Sequence, residues 1–277
     1  MPKDNPFPAA VLLTERYQGH GPTVPPQVNS VVEHLLNHRS VRAYLPDALP
    51  EGALETALVA AQSAASSSNL QVWSVIAVKD KERKARLAAV TGNQKHILDA
   101  PLLLVWLADL SRLGRIAEAR GLGSEGLDYT EMLLVGVVDA ALAAQNAVVA
   151  LESLGLGTVY IGALRNDITT VAKELGLPPH VMPVFGLVVG KPDPARPTAI
   201  KPRLPLNTIL SHEQYSSANE AEAVEAYDAL FKDFQRSQSL PEEGWVARSA
   251  ERVGTPKALT GRHVMKEAII GLGFKLK

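Results

Sequence analysis

The stretch MLLVGVVDAALAAQNAVVALESLG (132–155) is the longest apolar run of the chain, and TVYIGAL (158–164) follows it after two residues. By length alone the first segment would be able to span a membrane. It contains four residues that are costly in lipid, namely Asp139, Gln145, Asn146 and Glu152. We therefore interpret it as a long helix buried in a soluble protein and ending at Gly155, and the second segment as a strand.

Three other apolar segments have the composition of strands: WSVIAVK (73–79), PLLLVWLAD (101–109) and VMPVFGLVVGKP (181–192). Apolar spacing and capping residues predict further helices at 30–37, 50–65, 80–92, 167–176 and 217–236. Only four strands are clear, and the helices between them are of unequal length. This pattern fits a layered α/β/α sandwich around a small sheet better than a doubly wound sheet.

The composition excludes several classes of site and partner. The 277 residues carry a formal net charge of −1, so nothing indicates nucleic acid as a partner. The absence of cysteine rules out disulfides, thiolate metal sites and thiol catalysis. A cytoplasmic protein fits this composition, and we expect neither a membrane segment nor a metal site.

Prolines and glycines indicate where regular structure stops. Six prolines interrupt residues 1–27, so we predict an irregular N-terminal arm there, followed by a single domain over 28–277. Residues 111–127 are rich in glycine and arginine and are predicted to form a loop.

Two basic segments have the character of an anion site. NHRSVRAY (37–44) follows a predicted helix and groups four polar side chains without an acid: His38, Arg39, Ser40 and Arg42. KPRLP (201–205) is stiffened by prolines and directs Lys201 and Arg203 to one side of an extended chain. Arginine binds phosphate through a planar fork of N–H donors. Each segment alone fits a plain surface turn, but together they could hold one phosphate from two directions.

Three polar segments beside predicted strands could bind a flat heterocycle. SAASSSNLQ (63–71) offers three hydroxyls and an amide, from Ser66, Ser67, Ser68 and Gln71. TGNQKH (91–96) adds polar groups after a helix, from Gln94, Lys95 and His96. YIGALRND (160–167) brings Gly162 to a strand end, where a backbone N–H can approach a ligand closely. The alternatives are a flexible serine linker for the first segment and a helix cap with a polar turn for the second.

Taken in order, these segments resemble the nitroreductase-like flavin reductases, in particular the group A oxygen-insensitive NADPH nitroreductases and NADPH-flavin oxidoreductases. The stretches that carry the resemblance are HRSVR, AASSSNLQ, TGNQKH, LLVGVVDAALAAQNAVVALESLGLGTVYIGALRN, LPPHVMPVFGLVVGKP and KPRLP, and it covers about residues 28–230. The resemblance implies the nitroreductase α+β fold, a three-layer α/β/α sandwich around a small, mostly antiparallel sheet. It also implies an intertwined homodimer with FMN at the subunit interface.

The activity that the resemblance implies is that of an FMN-dependent oxidoreductase. NADPH would give two electrons to FMN, and nitroaromatics, quinones or free flavins would accept them in a ping-pong cycle. No side chain is expected to act as a catalytic acid or base, because the cofactor carries the chemistry. The alternative from another class is a non-catalytic FMN-binding redox sensor or flavin store.

The family's site residues can be carried over by position. Arg39, with Lys201 and Arg203, would hold the FMN phosphate, and Arg42 would lie towards the flavin pyrimidine. The other residues expected at FMN are His38, Ser40, Ser66, Ser67, Ser68, Gln71, Gln94, Lys95, His96, Tyr160, Ile161, Gly162 and Ala163.

Three features depart from the family. Ala163 stands where a second glycine is common. Arg236 is the nearest match to an NADPH-binding arginine in the divergent C-terminal third. The arm over 1–27 is an addition, which would either reach the partner subunit or be disordered.

Overall fold

The computed structural model describes residues 9–277, and the chain divides into two compact units. The sheet unit comprises Ser40–Pro197 with Leu259–Lys277. The helical unit comprises the chain up to Arg39 with Thr198–Ala258. The single domain predicted over 28–277 includes parts of both units and stays a prediction.

Helices and strands interleave along the chain. In chain order the elements are α1 (Ala9–Tyr17), α2 (Ser30–Leu36), α3 (Ala53–Gln62), β1 (Trp73–Val78), α4 (Lys81–Val90), α5 (Lys95–Asp99), β2 (Leu102–Asp109), α6 (Ser111–Ala119), α7 (Thr130–Ser153), β3 (Gly157–Ile161), α8 (Ile168–Leu175), β4 (Val181–Gly190), α9 (Leu206–Ile209), α10 (Glu220–Ser237), α11 (Trp245–Gly254) and α12 (Met265–Gly271).

The strands of the sheet unit form one sheet in the order β1-β2-β4-β3, and every pairing is antiparallel. These are the four predicted strands. β3 is shorter than expected, because residues 162–167 turn into a 3₁₀ helix directly after Ile161. The prediction of a mixed α+β fold with a small antiparallel sheet is confirmed.

Alternation along β2 decides which helices cover each face of the sheet. One face packs against α3 and α7 through Leu102, Leu104 and Trp106. The other packs against α4, α5 and α8 through Leu103, Val105 and Leu107. All six side chains are buried, which explains why β2 is a continuous apolar run in the sequence.

The long helix α7 is a core helix, as its internal polar residues predicted. It is the one helix among residues 9–277 that is long and apolar enough to cross a membrane. Its residues Ala143, Ala144 and Ala147 are buried in the cluster that includes Trp106 of β2. The opposite face leaves Leu134, Val138 and Leu142 exposed, a point that bears on assembly below.

Helix ends follow their capping residues. Asp167 accepts a hydrogen bond from the backbone N–H of Thr170, and Gly176 closes α8 in a left-handed conformation, so both ends agree with the helix predicted over 167–176. Helix α2 begins at Ser30, where the predicted segment starts. Asn29 is the N-cap, and its side chain accepts from the backbone N–H groups of Val31 and Val32.

Two segments predicted to be irregular are helical instead. Within the arm, α1 occupies a stretch without proline and buries Leu12 and Arg16, while residues 1–8 lie outside the described part of the chain. The arm is therefore not disordered over residues 9–17. In the predicted loop over 111–127, α6 forms because Leu113 packs on a buried cluster, which outweighs the low helix propensity of Gly114.

The helical unit has its own small aromatic core. Tyr227, Phe231 and Phe234 on one face of α10 are buried, and Trp245 packs against Tyr227 edge to face at 5.7 Å between ring centroids. The hydroxyl of Tyr227 donates to the carbonyl of Pro202 at 3.0 Å. This bond fixes the extended chain of residues 201–205 on α10.

Candidate functional site

In the helical unit two basic stretches, residues 37–39 and residues 201–203, carry candidate phosphate-binding side chains. Arg39 follows α2, and its guanidinium donates to the carbonyl of Asn37 at 3.2 Å. Lys201 and Arg203 are exposed while Pro202 between them is buried. This alternation is the one expected of an extended chain, in which residues two apart face the same way.

A buried arginine of the arm brings the two basic stretches together. Arg16 of α1 is 6% exposed, and its guanidinium donates to the carbonyl of His38 at 2.8 Å and to the carbonyl of Lys201 at 2.8 Å. The backbone carbonyl of Arg16 accepts from the N–H of Arg203 at 3.0 Å. The stretches are far apart in the sequence, yet both are bonded to one residue.

In the sheet unit, Ser40 lies beside the edge strand β3, and Arg42 follows two residues later. Ser40 bridges to Thr158, and the N–H of Val41 donates to the Thr158 carbonyl at 2.9 Å. Val41 is buried where β3 has Gly157, and a Cβ on that glycine would lie 2.8 Å from the Val41 side chain. Val41 is thus held inward, and Arg42 beside it is exposed.

A second glycine makes room for the Tyr44 ring, as Gly157 does for Val41. Gly190 of β4 pairs with Gly157, and a Cβ at Gly190 would lie 2.7 Å from the Tyr44 ring. Two paired glycines at the end of the sheet therefore make the room in which residues 41–44 pack, and they set the position of Arg42 between two buried side chains.

His96, on α5, lies within electrostatic range of Arg42. Burial, followed by the charge of Arg42, lowers the pKa of His96 below its ordinary value. Its Nε2 atom is buried and has no hydrogen-bond partner among the described residues. At neutral pH the ring is therefore a neutral imidazole with one unsatisfied nitrogen, which a bound ligand would be able to satisfy.

The short helix α5 is held in place by a buried lysine. Lys84 of α4 is 3% exposed and donates to the carbonyls of Leu98 and Ala100 at the end of α5. Burial lowers the pKa of Lys84. At the other end Gln94 precedes the helix, and its side-chain amide donates to the carbonyl of Thr91 at 3.1 Å. Lys95 is exposed beside it.

A buried carboxylate organises the hydroxyl loop (residues 66–71). Asp139 of α7 is 2% exposed and accepts from the hydroxyl of Ser66 at 2.6 Å and from the backbone N–H groups of Ser67 and Val72 at 3.3 and 3.2 Å. The Ser66 oxygen in turn accepts from the N–H of Gln71 at 2.8 Å. Ser66 is thus a structural member of the loop, whereas Ser67, Ser68 and Gln71 are exposed.

The backbone of the hydroxyl loop is strained. Ser68, Asn69 and Gln71 have φ values of 49°, 54° and 51°, in the left-handed region that costs a residue with a Cβ of order 1 kcal/mol. The bonds to Asp139 stabilise this conformation. Strain of this kind recurs where a loop must present its groups to a ligand. A flexible serine linker is therefore excluded.

The end of β3 carries the aromatic ring of Tyr160 and, two residues later, a glycine that leaves room beside the backbone. Tyr160 is half-exposed on the strand and packs edge to face on Phe185, with ring centroids 5.1 Å apart. Ile161 is buried, and Gly162 starts the 3₁₀ helix that includes Ala163. A Cβ at Gly162 would lie 3.3 Å from the Arg165 guanidinium, so the space beside this glycine is narrow.

Arg236, the NADPH candidate, is engaged by two carboxylates. It forms ion pairs with Glu242 and Asp233, both at 2.7 Å. The bond to Glu242, followed by that to Asp233, raises its pKa further above the ordinary value. A phosphate would have to compete with both acids for this side chain.

Sequence reasoning missed three residues that hold the site: Arg16, Asp139 and Lys84. Asp139 was noticed only as a residue unsuited to lipid, although an acid inside an apolar helix is itself a sign of a buried polar network. Arg16 was missed because the prolines around it predict irregular chain. Lys84 lies in a helix of mixed charge, where no pattern singles it out.

Comparison with families of known proteins gives a consistent result. The model of the Nitroreductase family matches residues 35–191, and that of the Nitroreductase family, C-terminal domain, matches residues 201–277. An "FMN reductase (NADPH)" of Bacillus subtilis is 39% identical over 223 residues, which are 79% of this chain and 89% of the relative. An "Oxygen-insensitive NADPH nitroreductase" of Salmonella typhimurium is 39% identical over 207 residues, 75% of this chain and 83% of the relative.

Solved structures agree with these matches. NfrA1 of B. megaterium superposes with a TM-score of 0.83 at 40% identity, covering 89% of this chain and 100% of that one. The NADPH:FMN oxidoreductase from Vibrio harveyi, complexed with NAD+, superposes with a TM-score of 0.80 at 31% identity, covering 90% of this chain and 100% of that one.

Proposed function

The chain belongs to the nitroreductase family, and on that premise we propose that it is an FMN-dependent oxidoreductase that passes two electrons from NADPH to nitroaromatics, quinones or free flavins. The observation that carries the proposal is the meeting of the basic stretches at Arg16, which sets three candidate phosphate ligands on neighbouring pieces of chain. Relatives named as FMN reductases and NADPH nitroreductases support the same activity.

The residues present fit FMN. Arg39, Lys201 and Arg203 supply cations for the phosphate. The orphaned Nε2 of His96 is a polar atom that an edge of the flavin ring would satisfy. The other groups proposed to line the ring are His38, Ser40, Ser66, Ser67, Ser68, Gln71, Gln94, Lys95, Tyr160, Ile161, Gly162 and Ala163.

The protein's part in the reaction is to bind, orient and tune. FMN, when bound, supplies the redox chemistry by accepting two electrons from the nicotinamide and releasing them to the second substrate. The fixed charge of Arg42 favours electron uptake at the pyrimidine edge. No side chain is assigned as a catalytic acid or base, and donor and acceptor use one site in turn, which gives ping-pong kinetics.

A homodimer is the proposed assembly, with the subunits intertwined and FMN at their interface. The exposed apolar side chains on α7 support it, because Leu134, Val138 and Leu142 recur every four residues and form one stripe. A stripe of this kind on a long helix is typical of a surface that another chain covers. We place the protein in the cytoplasm, in line with its family and composition.

NADPH is the proposed donor because several relatives carry NADPH in their names. One relative is named "FMN reductase [NAD(P)H]", so both nucleotides should be assayed. Arg236 remains the candidate for the nucleotide phosphate, although two acids already hold it.

A spectrum of the purified full-length protein tests the proposal. We expect a yellow protein that is bleached by NADPH under anaerobic conditions and regains its colour when a nitrofuran is added. A yellow protein that neither NADPH nor NADH bleaches would contradict the enzyme and favour the redox sensor or flavin store. A colourless protein that does not take up added FMN would contradict both.

A further inference from the structure

Three described hydrogen bonds connect the Arg16 guanidinium to separate parts of the helical unit. They run to the carbonyls of Leu36 at 2.7 Å, His38 at 2.8 Å and Lys201 at 2.8 Å. A planar guanidinium is suited to this arrangement, because its five N–H donors point in fixed directions from one plane. No other standard side chain is able to bond three carbonyls from two stretches of chain with the same geometry.

The backbone of Arg16 strengthens the same link. Its carbonyl accepts the N–H of Arg203, so residue 16 contacts the second basic stretch from both its side chain and its main chain. At 6% exposure the guanidinium is shielded from water. Loss of the side chain would remove a charged donor from part-buried carbonyls of both stretches, which favours their rearrangement.

We propose that Arg16 is a positioning residue for the FMN phosphate: it fixes the backbone of residues 37–39 relative to that of residues 201–203, so that Arg39, Lys201 and Arg203 converge on one anion. This inference rests on the proposed function. It assigns the N-terminal arm a role in cofactor binding through α1, within the same chain. We expect the effect at the phosphate, because the described hydrogen bonds of the guanidinium run to backbone carbonyls of residues 36, 38 and 201, and His38 is held only through its backbone carbonyl in these bonds.

The test compares two flavins that differ only by the phosphate. Apo-protein is titrated with FMN and with riboflavin, and binding is followed by quenching of flavin fluorescence, for wild type, Arg16→Gln, Arg16→Lys and a control, Arg248→Gln. Arg248 is an exposed arginine of the same unit that pairs with Glu243. We expect Arg16→Gln to weaken FMN about tenfold while riboflavin affinity stays within about twofold, and Arg248→Gln to change neither.

Arg16→Lys distinguishes the effect of the guanidinium's hydrogen bonds from the effect of its positive charge. Lysine keeps the positive charge but lacks the fork, so we expect its preference for FMN over riboflavin to stay below that of wild type. A preference equal to wild type in either Arg16 variant would overturn the inference. Riboflavin binding also shows that a variant is folded, and if Arg16→Gln does not fold, Arg16→Lys decides. Equal affinity of wild type for the two flavins would instead contradict the phosphate site of the proposed function itself.

Discussion

The hydroxyl loop and the two basic stretches are each held by a single buried charge, but of opposite sign. Asp139 lies under the hydroxyl loop and accepts hydroxyl and N–H donors, whereas Arg16 lies under the basic stretches and donates to carbonyls. In both places the buried charge bonds one set of groups, and other side chains of the same stretch are exposed to solvent. The exposed groups are then hydroxyls and an amide in one region and cations in the other.

This difference predicts what is lost when each of the two buried side chains is removed. Asp139 is on α7, a core helix, so its loss should affect the core of the sheet unit as well as the hydroxyl loop. Arg16 is on a nine-residue helix near the start of the chain, so its loss should affect the basic stretches with less effect on the core. The predictions below run from the largest expected effect to the smallest.

Asp139→Ala should be the most damaging change. It removes the acceptor for Ser66, Ser67 and Val72 and leaves a cavity in α7, so we expect a loss of about 3 kcal/mol in the free energy of unfolding. Urea denaturation measures it. Glu131→Ala, at an exposed position of the same helix, is the control and should cost less than about 1 kcal/mol. Equal costs for the two variants would show that Asp139 does not hold the loop.

Asp139→Asn sharpens the comparison with Arg16. The amide keeps the shape and one acceptor, so the fold should survive with a distorted loop. We expect affinity for FMN and for riboflavin to fall by similar factors, because the loop is proposed to contact the ring. A loss confined to FMN would place the loop at the phosphate and contradict the assignment.

Gly157→Ala should displace the residues that carry Arg42. The new methyl would lie 2.8 Å from Val41, and overpacking of this kind costs about 2 kcal/mol. Gly126→Ala, where nothing lies within 4 Å, is the matched control. Combining Gly157→Ala with Val41→Ala should cost less than the sum of the two single changes. Additive costs would mean that the two residues do not compete for one space.

Arg42→Gln should raise the pKa of His96, since the charge of Arg42 is one of the causes that lower it. Titration of the imidazole signals by NMR measures the shift. Arg196→Gln, which removes an exposed arginine paired with Asp193 in the same unit, is the control. An unchanged pKa of His96 would show that the charge of Arg42 does not act on it, and would contradict the proposal that both residues lie at the flavin ring.

The lowered pKa of His96 also predicts a pH dependence of stability. The folded-state pKa lies below the ordinary value of 6.5, so the unfolded chain takes up the proton first as the pH falls. The contribution of His96 is therefore fully present above pH 6.5 and is lost as the pH falls through the folded-state pKa. The difference in unfolding free energy between wild type and His96→Gln should therefore shift against wild type as the pH is lowered from 7.5 to 5. A difference that is constant with pH would contradict it.

Arg236→Gln should have the smallest effect. Because Glu242 and Asp233 compete with the nucleotide phosphate for this arginine, we expect the KM for NADPH to rise by no more than about threefold, with the KM for NADH unchanged. Steady-state kinetics with both nucleotides give the answer. A rise of tenfold or more with NADPH alone would show that Arg236 leaves its acids to bind the nucleotide phosphate.

The sequence predicted the sheet better than the parts that hold the site. β1 to β4 are apolar runs bounded by turns, and such runs are visible without knowing what covers them. The helix α6 was missed because contacts of Leu113 with distant residues outweigh its local composition. The hydroxyl loop and basic stretches were recognised as polar segments, and the resemblance to a family suggested how they combine.

What the sequence does not show is how those segments are held. The bonds from Arg16 to residue 201 and from Asp139 to Ser66 join positions distant in the chain, and no local spacing encodes them. Prolines on either side of α1 also indicated irregular chain, although none falls within the helix itself. A charged residue inside an apolar segment is the sequence signal that points to such buried anchors.

A crystal structure of the full-length protein with FMN tests the central claim most directly. We predict that the phosphate oxygens lie within hydrogen-bond distance, about 3 Å, of the side chains of Arg39, Lys201 and Arg203. FMN bound elsewhere on the chain, or with its phosphate in solvent and these three side chains turned away from it, would contradict the account.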